Sequence, residues 1–256
     1  MIAEDFDAFL FDLDGVLFRG DEPIAGAGQA VARLRTMGNR VAFVTNNSAR
    51  TPEEVVAHLA GVGVDARPAV VETSALTTAT YAVDAGIRTA VVIGSRGLRE
   101  ALAGAGVRVE EDAGPVDAAI VGWDPEVRYD DLRRAAVAVQ RGAAFIASNP
   151  DTSYPAPDGT RWPGAGALAA AVTATTGVEP TVIGKPNGPI LLAALARAGG
   201  GDPLLIGDRL DTDVEGARRL GWPSMLVLTG ISTRDDVRAA GSSPTYVVDD
   251  LGALFD

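Results

Sequence analysis

Two apolar runs far apart in the chain, residues 8–11 (Ala-Phe-Leu-Phe) and 203–206 (Pro-Leu-Leu-Ile), each end in a loop of carboxylates. The first loop reads Asp12-Leu13-Asp14-Gly15, and the second reads Gly207-Asp208-Arg209-Leu210-Asp211-Thr212-Asp213. A short apolar run without polar alternation suits a strand buried on both faces, the kind found in a parallel sheet covered by helices. Ligands of such sheets bind beyond the C-terminal ends of the strands. If the two runs are neighbouring strands, Asp12, Asp14, Asp208 and Asp213 converge there. The cluster would repel itself unless a cation sat in it. Hard oxygen ligands suit Mg²⁺, and Mg²⁺ among carboxylates suggests a phosphate substrate.

The rest of the chain alternates in the same way. Helical spacing over 27–37, with Val31 and Leu34 on one face and Gly38 as the stop, is followed by a strand pattern over 41–45 and a helix pattern over 52–60. Near the C-terminus the order repeats, with helices expected over 190–198 and 213–220 and strands over 204–207, 225–228 and 246–248. The fold class is therefore α/β, a doubly wound parallel sheet. The middle has its own strands (89–94, 118–122, 144–148) and helices (97–104, 130–141, 166–176). Because the two Asp loops flank this middle and must meet, residues 75–182 are expected to form a second α/β domain inserted into a core of 1–74 and 183–256. The segment 149–166, rich in Pro, Gly and Asp, is the longest loop candidate, and long loops in compact domains are commonly functional.

Composition narrows the chemistry. With no Cys and a single His among 256 residues, thiolate nucleophiles, multi-His metal sites and two-histidine phosphoryl relays are excluded. A phosphate-processing enzyme with this inventory needs Asp, Ser or Thr as nucleophile. A net charge of -12 argues against nucleic acid as the main partner, because phosphate backbones need Lys and Arg patches. No apolar run is long enough to span a bilayer and the start of the sequence lacks a signal-peptide pattern, so no membrane partner is expected and the location is read as cytoplasmic.

Four motifs occur in order, each at an expected strand end: Asp12-Leu13-Asp14-Gly15, Val44-Thr45-Asn46-Asn47, Gly184-Lys185-Pro186, and Gly207-Asp208 with Thr212-Asp213. Together they resemble the haloacid dehalogenase superfamily, in particular the phosphatase branch with a large α/β cap (subfamily IIA). That branch includes NagD-like, phosphoglycolate, glycerol-phosphate and pyridoxal-phosphate phosphatases. The likeness covers essentially the whole chain, including Val121-Gly122-Trp123-Asp124 and Pro163-Gly164-Ala165-Gly166 in the expected cap. The resemblance implies Asp12 as nucleophile and Asp14 as general acid and base. It implies Thr45, Asn46 and Asn47 as the phosphate cradle and Lys185 as the cation that neutralises Asp12 and the phosphoryl group. Mg²⁺ would be held by Asp12, Asp208 and the Asp14 main-chain carbonyl, with Asp213 behind them holding a metal-bound water.

The implied reaction is Mg²⁺-dependent hydrolysis of a small phosphorylated metabolite through an aspartyl-phosphate. A phosphotransferase or phosphomutase of the same superfamily, and a non-catalytic metabolite-binding protein, are the alternatives. Caps in this branch often pair, which leaves a homodimer open. The cap segment 149–166 contains no His, which makes pyridoxal phosphate a poorer expectation than glycerol phosphate, phosphoglycolate or a sugar phosphate. Read alone, each motif also has a plainer explanation. Asp12 could cap a turn, Asn46-Asn47 could cap the following helix, and Asp213 could sit at a helix N-terminus. Arg209 either orients the Asp loop or faces solvent, His58 is a surface or packing residue, and Tyr154 and Trp162 are the best pocket candidates among the cap aromatics.

Overall fold

The computed structural model describes residues 1–112, 114–155, 160–241 and 243–256. Its strands in the first half are β1 Ala8–Phe11, β2 Phe18–Arg19, β3 Glu22–Pro23, β4 Arg40–Thr45, β5 Val71–Thr73, β6 Thr89–Ile93 and β7 Arg108–Val109. They continue as β8 Ala118–Val121, β9 Ala144–Ala147, β10 Ser153–Pro155, β11 Arg161–Pro163, β12 Thr181–Val182, β13 Pro203–Gly207, β14 Ser224–Val227 and β15 Tyr246–Val248. The helices are α1 Ala27–Thr36, α2 Pro52–Gly61, α3 Ser74–Asp84, α4 Arg96–Gly104, α5 Tyr129–Gln140, α6 Ala165–Thr176, α7 Gly188–Ala198, α8 Glu215–Leu220 and α9 Arg234–Ala239.

These elements divide into two compact units. The first comprises Met1–Thr45, Pro52–Glu72 and Lys185–Asp256, and the second comprises Asn46–Thr51 and Thr73–Gly184. Among the described residues the first unit is built on a sheet in the order β15-β14-β13-β1-β4-β5. β1 pairs in parallel with both β13 and β4, which explains its unbroken apolar sequence. Phe9 and Phe11 face one side, in a cluster with Val31, Leu34, Val55 and Leu59 of α1 and α2. Leu10 faces the other, with Ile190, Leu191 and Ala194 of α7 and Ala217 of α8. The two-sided cover is the α/β architecture expected from the sequence.

The second unit carries its own sheet, β12-β9-β8-β6-β7, with every described pairing parallel. One face packs Ala79, Leu98 and Leu102 of α3 and α4 against Ile120 and Ile146. The other packs Ala135, Val139, Leu168 and Val172 of α5 and α6 against Val91, Ala119 and Val121. Within the expected 149–166 loop lies a short antiparallel hairpin, β10–β11, with Tyr154 opposite Trp162. Residues 156–159 of that loop are outside the described residues. The six residues Asn46–Thr51 fall with the second unit, where the sequence reading had assigned them to the core. Among the described residues no helix is long and apolar enough to cross a membrane.

Packing within the first unit is close enough to reverse an ordinary helix preference. Ala is a better helix former than Gly by about 1 kcal/mol. A Cβ on Gly28 in α1, however, would lie 2.4 Å from the Gly63 carbonyl oxygen, whereas one on Gly61 at the end of α2 meets nothing within 4 Å. Gly28→Ala should therefore destabilise the protein by about 1–3 kcal/mol. Gly61→Ala should be neutral or stabilise by up to about 1 kcal/mol. Denaturant unfolding of the two variants beside the parent protein checks the pair, and equal effects would contradict this packing.

Candidate active site

The register between β1 and β13 sets the site. Phe11 lies opposite Ile206, and the Asp12 N–H donates to the Ile206 carbonyl at 2.8 Å. Just beyond this last pair each strand delivers a buried carboxylate, Asp12 on one and Asp208 on the other. Asp213 joins them from a π-helical turn over Leu210–Val214, and one oxygen from each of Asp12, Asp208 and Asp213 lies within 4.8 Å of the others. Asp213 thus lies in the first turn of a π-helical segment that runs directly into α8, close to the helix N-terminus its spacing suggested.

Among the described residues, the buried Lys185 ammonium offsets these charges from within. Lys185 is 2% exposed, and its Nζ lies 2.7 Å from Asp12 Oδ1 and 2.7 Å from Asp213 Oδ1. Burial alone would lower the ammonium pKa, yet Asp12 and Asp213 hold it above the ordinary lysine value. The second oxygen of Asp213 accepts from the Arg209 N–H at 3.2 Å and the Thr212 hydroxyl at 3.4 Å. Arg209 itself forks onto Asp211, with Nε and Nη2 at 2.9 and 2.7 Å from its two oxygens. This settles the open alternatives for Arg209 in favour of an ion pair within the Asp loop.

Asp208 is held by a loop that the sequence reading did not single out, Thr229-Gly230-Ile231-Ser232. The Ile231 N–H donates to Asp208 Oδ2 at 2.7 Å and the Ser232 N–H donates to the Asp208 carbonyl at 3.0 Å. The Thr229 hydroxyl donates to the Gly15 carbonyl at 2.6 Å, and Arg19 Nε donates to the Thr229 carbonyl at 2.6 Å. The carboxylate has no spare room. A Cβ on Gly15, whose φ is +78°, would lie 2.4 Å from Asp208 Oδ2, and one on Gly230 would lie 2.0 Å from it. The only sequence signal for this loop was its place after a strand pattern.

The remaining residues fall as follows. Asp14, two residues past Asp12, is exposed and bridges in parallel to Phe18. Thr45 is buried at the end of β4, next to β1 in the first unit. Asn46 and Asn47 begin the segment that groups with the second unit, and Asn47 Oδ1 accepts from the Ala49 N–H at 2.8 Å, a side-chain-closed turn. His58 packs its ring edge-on to Phe18 at 4.4 Å with Nε2 3.0 Å from the Gly20 carbonyl, a packing residue. In the second unit Trp123 stacks on Tyr154 at 4.3 Å and donates Nε1–H to the Pro163 carbonyl at 3.1 Å, while Trp162 is 42% exposed.

Three buried carboxylates against one ammonium leave an excess of two negative charges when all are ionised. A buried charge without a partner is costly, so the proton affinity of the group rises. Burial, then repulsion from Asp213, pushes the Asp208 carboxyl up to about 7. Burial also raises Asp12 well above the usual carboxylate range, Lys185 opposing and Asp213 and Asp208 adding to it. A divalent cation among hard oxygen donors would balance the excess, so the donor set fits Mg²⁺.

The chain is similar to known proteins over nearly its whole length. A family model described as haloacid dehalogenase-like hydrolase matches residues 9–108, and a HAD-hydrolase-like model matches residues 182–254. The acid sugar phosphatase of Staphylococcus aureus (strain USA300) is 39% identical over 251 residues, 97% of this chain and 96% of that protein. The glycerol phosphate phosphatase of Mycobacterium tuberculosis, solved in complex with magnesium, superposes with a TM-score of 0.92 at 37% identity over 99% of this chain and 77% of that one. NagD from E. coli K-12 superposes with a TM-score of 0.89 at 30% identity over 96% of each chain.

The charge excess gives a pH signature. A carboxyl whose folded pKa lies above its unfolded value binds protons more tightly when folded, so stability is greatest at low pH and falls as pH rises between the two values. For Asp208 that window runs from 3.8 to about 7. In EDTA, the melting temperature should therefore fall from pH 5 to pH 8, and Asp208→Asn should flatten the fall. A profile of melting temperature against pH for both proteins checks this; identical slopes would refute the assignment.

Proposed function

Since the chain belongs to the haloacid dehalogenase-like hydrolases and is a phosphoric monoester hydrolase, we propose that it hydrolyses a small sugar or glycerol phosphate with Asp12 as nucleophile. The observation that carries the reading is Asp12 itself, at the end of β1, in contact with a buried lysine and beside a second carboxylate from β13. As nucleophile the carboxylate must be ionised, which burial opposes and Lys185 favours; its charge and that of the incoming phosphate must be offset and its oxygen held in line. Lys185 supplies part of that offset, and Asp213 holds Lys185 from the far side.

Asp12 attacks phosphorus as the bond to the leaving alcohol breaks, and Asp14 gives that alcohol its proton. Exposure of the Asp14 side chain suits a group that exchanges protons with substrate and water. The Thr45 hydroxyl and the N–H groups of Asn46 and Asn47 take the phosphoryl oxygens. Asp14 then removes a proton from the water that cleaves the aspartyl-phosphate. Asp12, Asp208 and the Asp14 carbonyl would hold Mg²⁺, which when bound adds positive charge where the phosphoryl group carries negative charge. Asp213 stays behind them, its oxygens engaged with Lys185, the Arg209 N–H and Thr212.

The residues Asn149 to Gly166, with hairpin β10–β11, are the proposed source of selectivity among leaving groups. The names of the relatives favour sugar and glycerol phosphates. A panel of phosphorylated metabolites assayed by phosphate release tests the substrate class, and transfer to an added alcohol in place of water would favour the phosphotransferase alternative.

Asp12→Asn should leave less than about one per cent of parental turnover with the melting temperature retained, on the scale of nucleophile removal. Measuring phosphate release and thermal melting together checks it, and higher residual activity would remove Asp12 from the role. EDTA should stop turnover and added Mg²⁺ restore it. Full activity in metal-free buffer would overturn the metal assignment.

A further inference from the structure

The carbonyl of Asn46 is gripped by two buried side chains from separate elements of the second unit. Asn149 Nδ2 donates to it at 2.7 Å and the Ser74 hydroxyl donates to it at 2.6 Å. Asn149 and Ser74 are 3% and 0% exposed. A carbonyl oxygen has two lone pairs, and this one has a donor for each. The surroundings are equally full. Asn149 Nδ2 also lies 3.3 Å from Ser148 Oγ, which donates to Ser48 Oγ at 3.2 Å. A Cβ on Gly184 would lie 2.6 Å from Asn46 Oδ1 and 2.8 Å from the Ser148 carbonyl.

The peptide bond is planar and trans, so the carbonyl of one residue and the N–H of the next point in opposite directions. Fixing the Asn46 carbonyl therefore aims the Asn47 N–H. Asn149 has a second connection. Its Oδ1 accepts from the Asp151 N–H at 3.1 Å, at the start of the segment that becomes β10. The hairpin is tied to the same stretch by another route: Trp123 stacks on Tyr154 and donates its indole N–H to the Pro163 carbonyl, while its main-chain N–H donates to Ser48 Oγ at 3.3 Å.

We propose that Ser74 and Asn149 are positioning residues for phosphate binding: by holding the Asn46 carbonyl they aim the Asn47 N–H, and through Asn149 the selectivity hairpin and the phosphate loop are set as one piece. This rests on the assignment of Thr45, Asn46 and Asn47 to the phosphate. It separates these two residues from Tyr154 and Trp162. A pocket residue changes the ranking of esters, whereas a residue that aims a phosphate donor changes every ester and free phosphate alike.

The test is competitive inhibition by inorganic phosphate, together with kcat/KM for p-nitrophenyl phosphate and glycerol phosphate. It uses the full chain with Ser74→Ala, Asn149→Ala, the double variant, Ser74→Thr and Thr45→Ala. Ser74→Ala and Asn149→Ala should each raise the inhibition constant for phosphate roughly ten-fold, the scale of partners that orient a binding group. They should lower kcat/KM for both esters by a common factor. The double variant should lose less than the product of the singles, because both donors serve one carbonyl. Ser74→Thr, which keeps the hydroxyl, should recover most of the loss. Ser74→Ala removes one oxygen only and carries the test should Asn149→Ala fail to fold. If Thr45→Ala weakens phosphate inhibition but Ser74→Ala leaves it within about two-fold of the parent, the inference is wrong and the phosphate assignment stands. If Thr45→Ala also leaves it unchanged, the phosphate assignment itself fails. A changed ester ranking in Asn149→Ala with unaltered phosphate inhibition would make Asn149 a residue of the hairpin alone and overturn the proposal.

Discussion

The buried ammonium of Lys185 is the interaction on which the first unit's catalytic edge depends. Asp12 and Asp213 reach it from different elements, one directly after β1 and one in the turn after β13, and both make contacts of 2.7 Å. Removing one member of a buried charge cluster leaves the others uncompensated and is strongly destabilising, whereas the intact cluster contributes little net stability. The arrangement therefore makes sense as a device for holding charge in place. Lys185 opposes the burial that raises the proton affinity of Asp12, and it fixes the position of that carboxylate.

Around this pair the backbone does more than the side chains. Asp208 owes its orientation to the Ile231 N–H, and the Thr229 hydroxyl fixes the peptide between Gly15 and Val16. Such contacts leave faint traces in a sequence. The apolar runs of β1, β4, β13 and β14 were legible because strands buried on both faces have little choice of residue. Of the four carboxylates expected to converge, Asp12, Asp208 and Asp213 each place an oxygen within 4.8 Å of the others, whereas Asp14 is exposed and is not in that group. Hairpins β2–β3 and β10–β11 were not legible. Their strands are only two or three residues long, too short to express a period.

The grouping of Asn46–Thr51 with the second unit was hidden for another reason. The residues responsible, Ser74, Ser148 and Asn149, are polar and look like turn residues in sequence. Their burial turns them into fixed donors and acceptors, which depends on contacts between segments far apart in the chain. For Asp213 the type of helical turn was hidden for a related cause. A carboxylate ahead of a helical pattern marks the helix start, and here that start is a π-helical turn in which Asp213 meets Lys185.

The chain crosses between its two units at four points, because the second unit is assembled from a six-residue piece and a long one. Exchange of one continuous stretch would not carry the second unit whole. In this protein a cassette spanning Thr73–Gly184 would arrive without Asn46–Thr51, and the Ser74 hydroxyl and Asn149 amide would meet a foreign loop. A chimaera that keeps these hydrogen bonds has to carry both pieces, the short segment together with its donors.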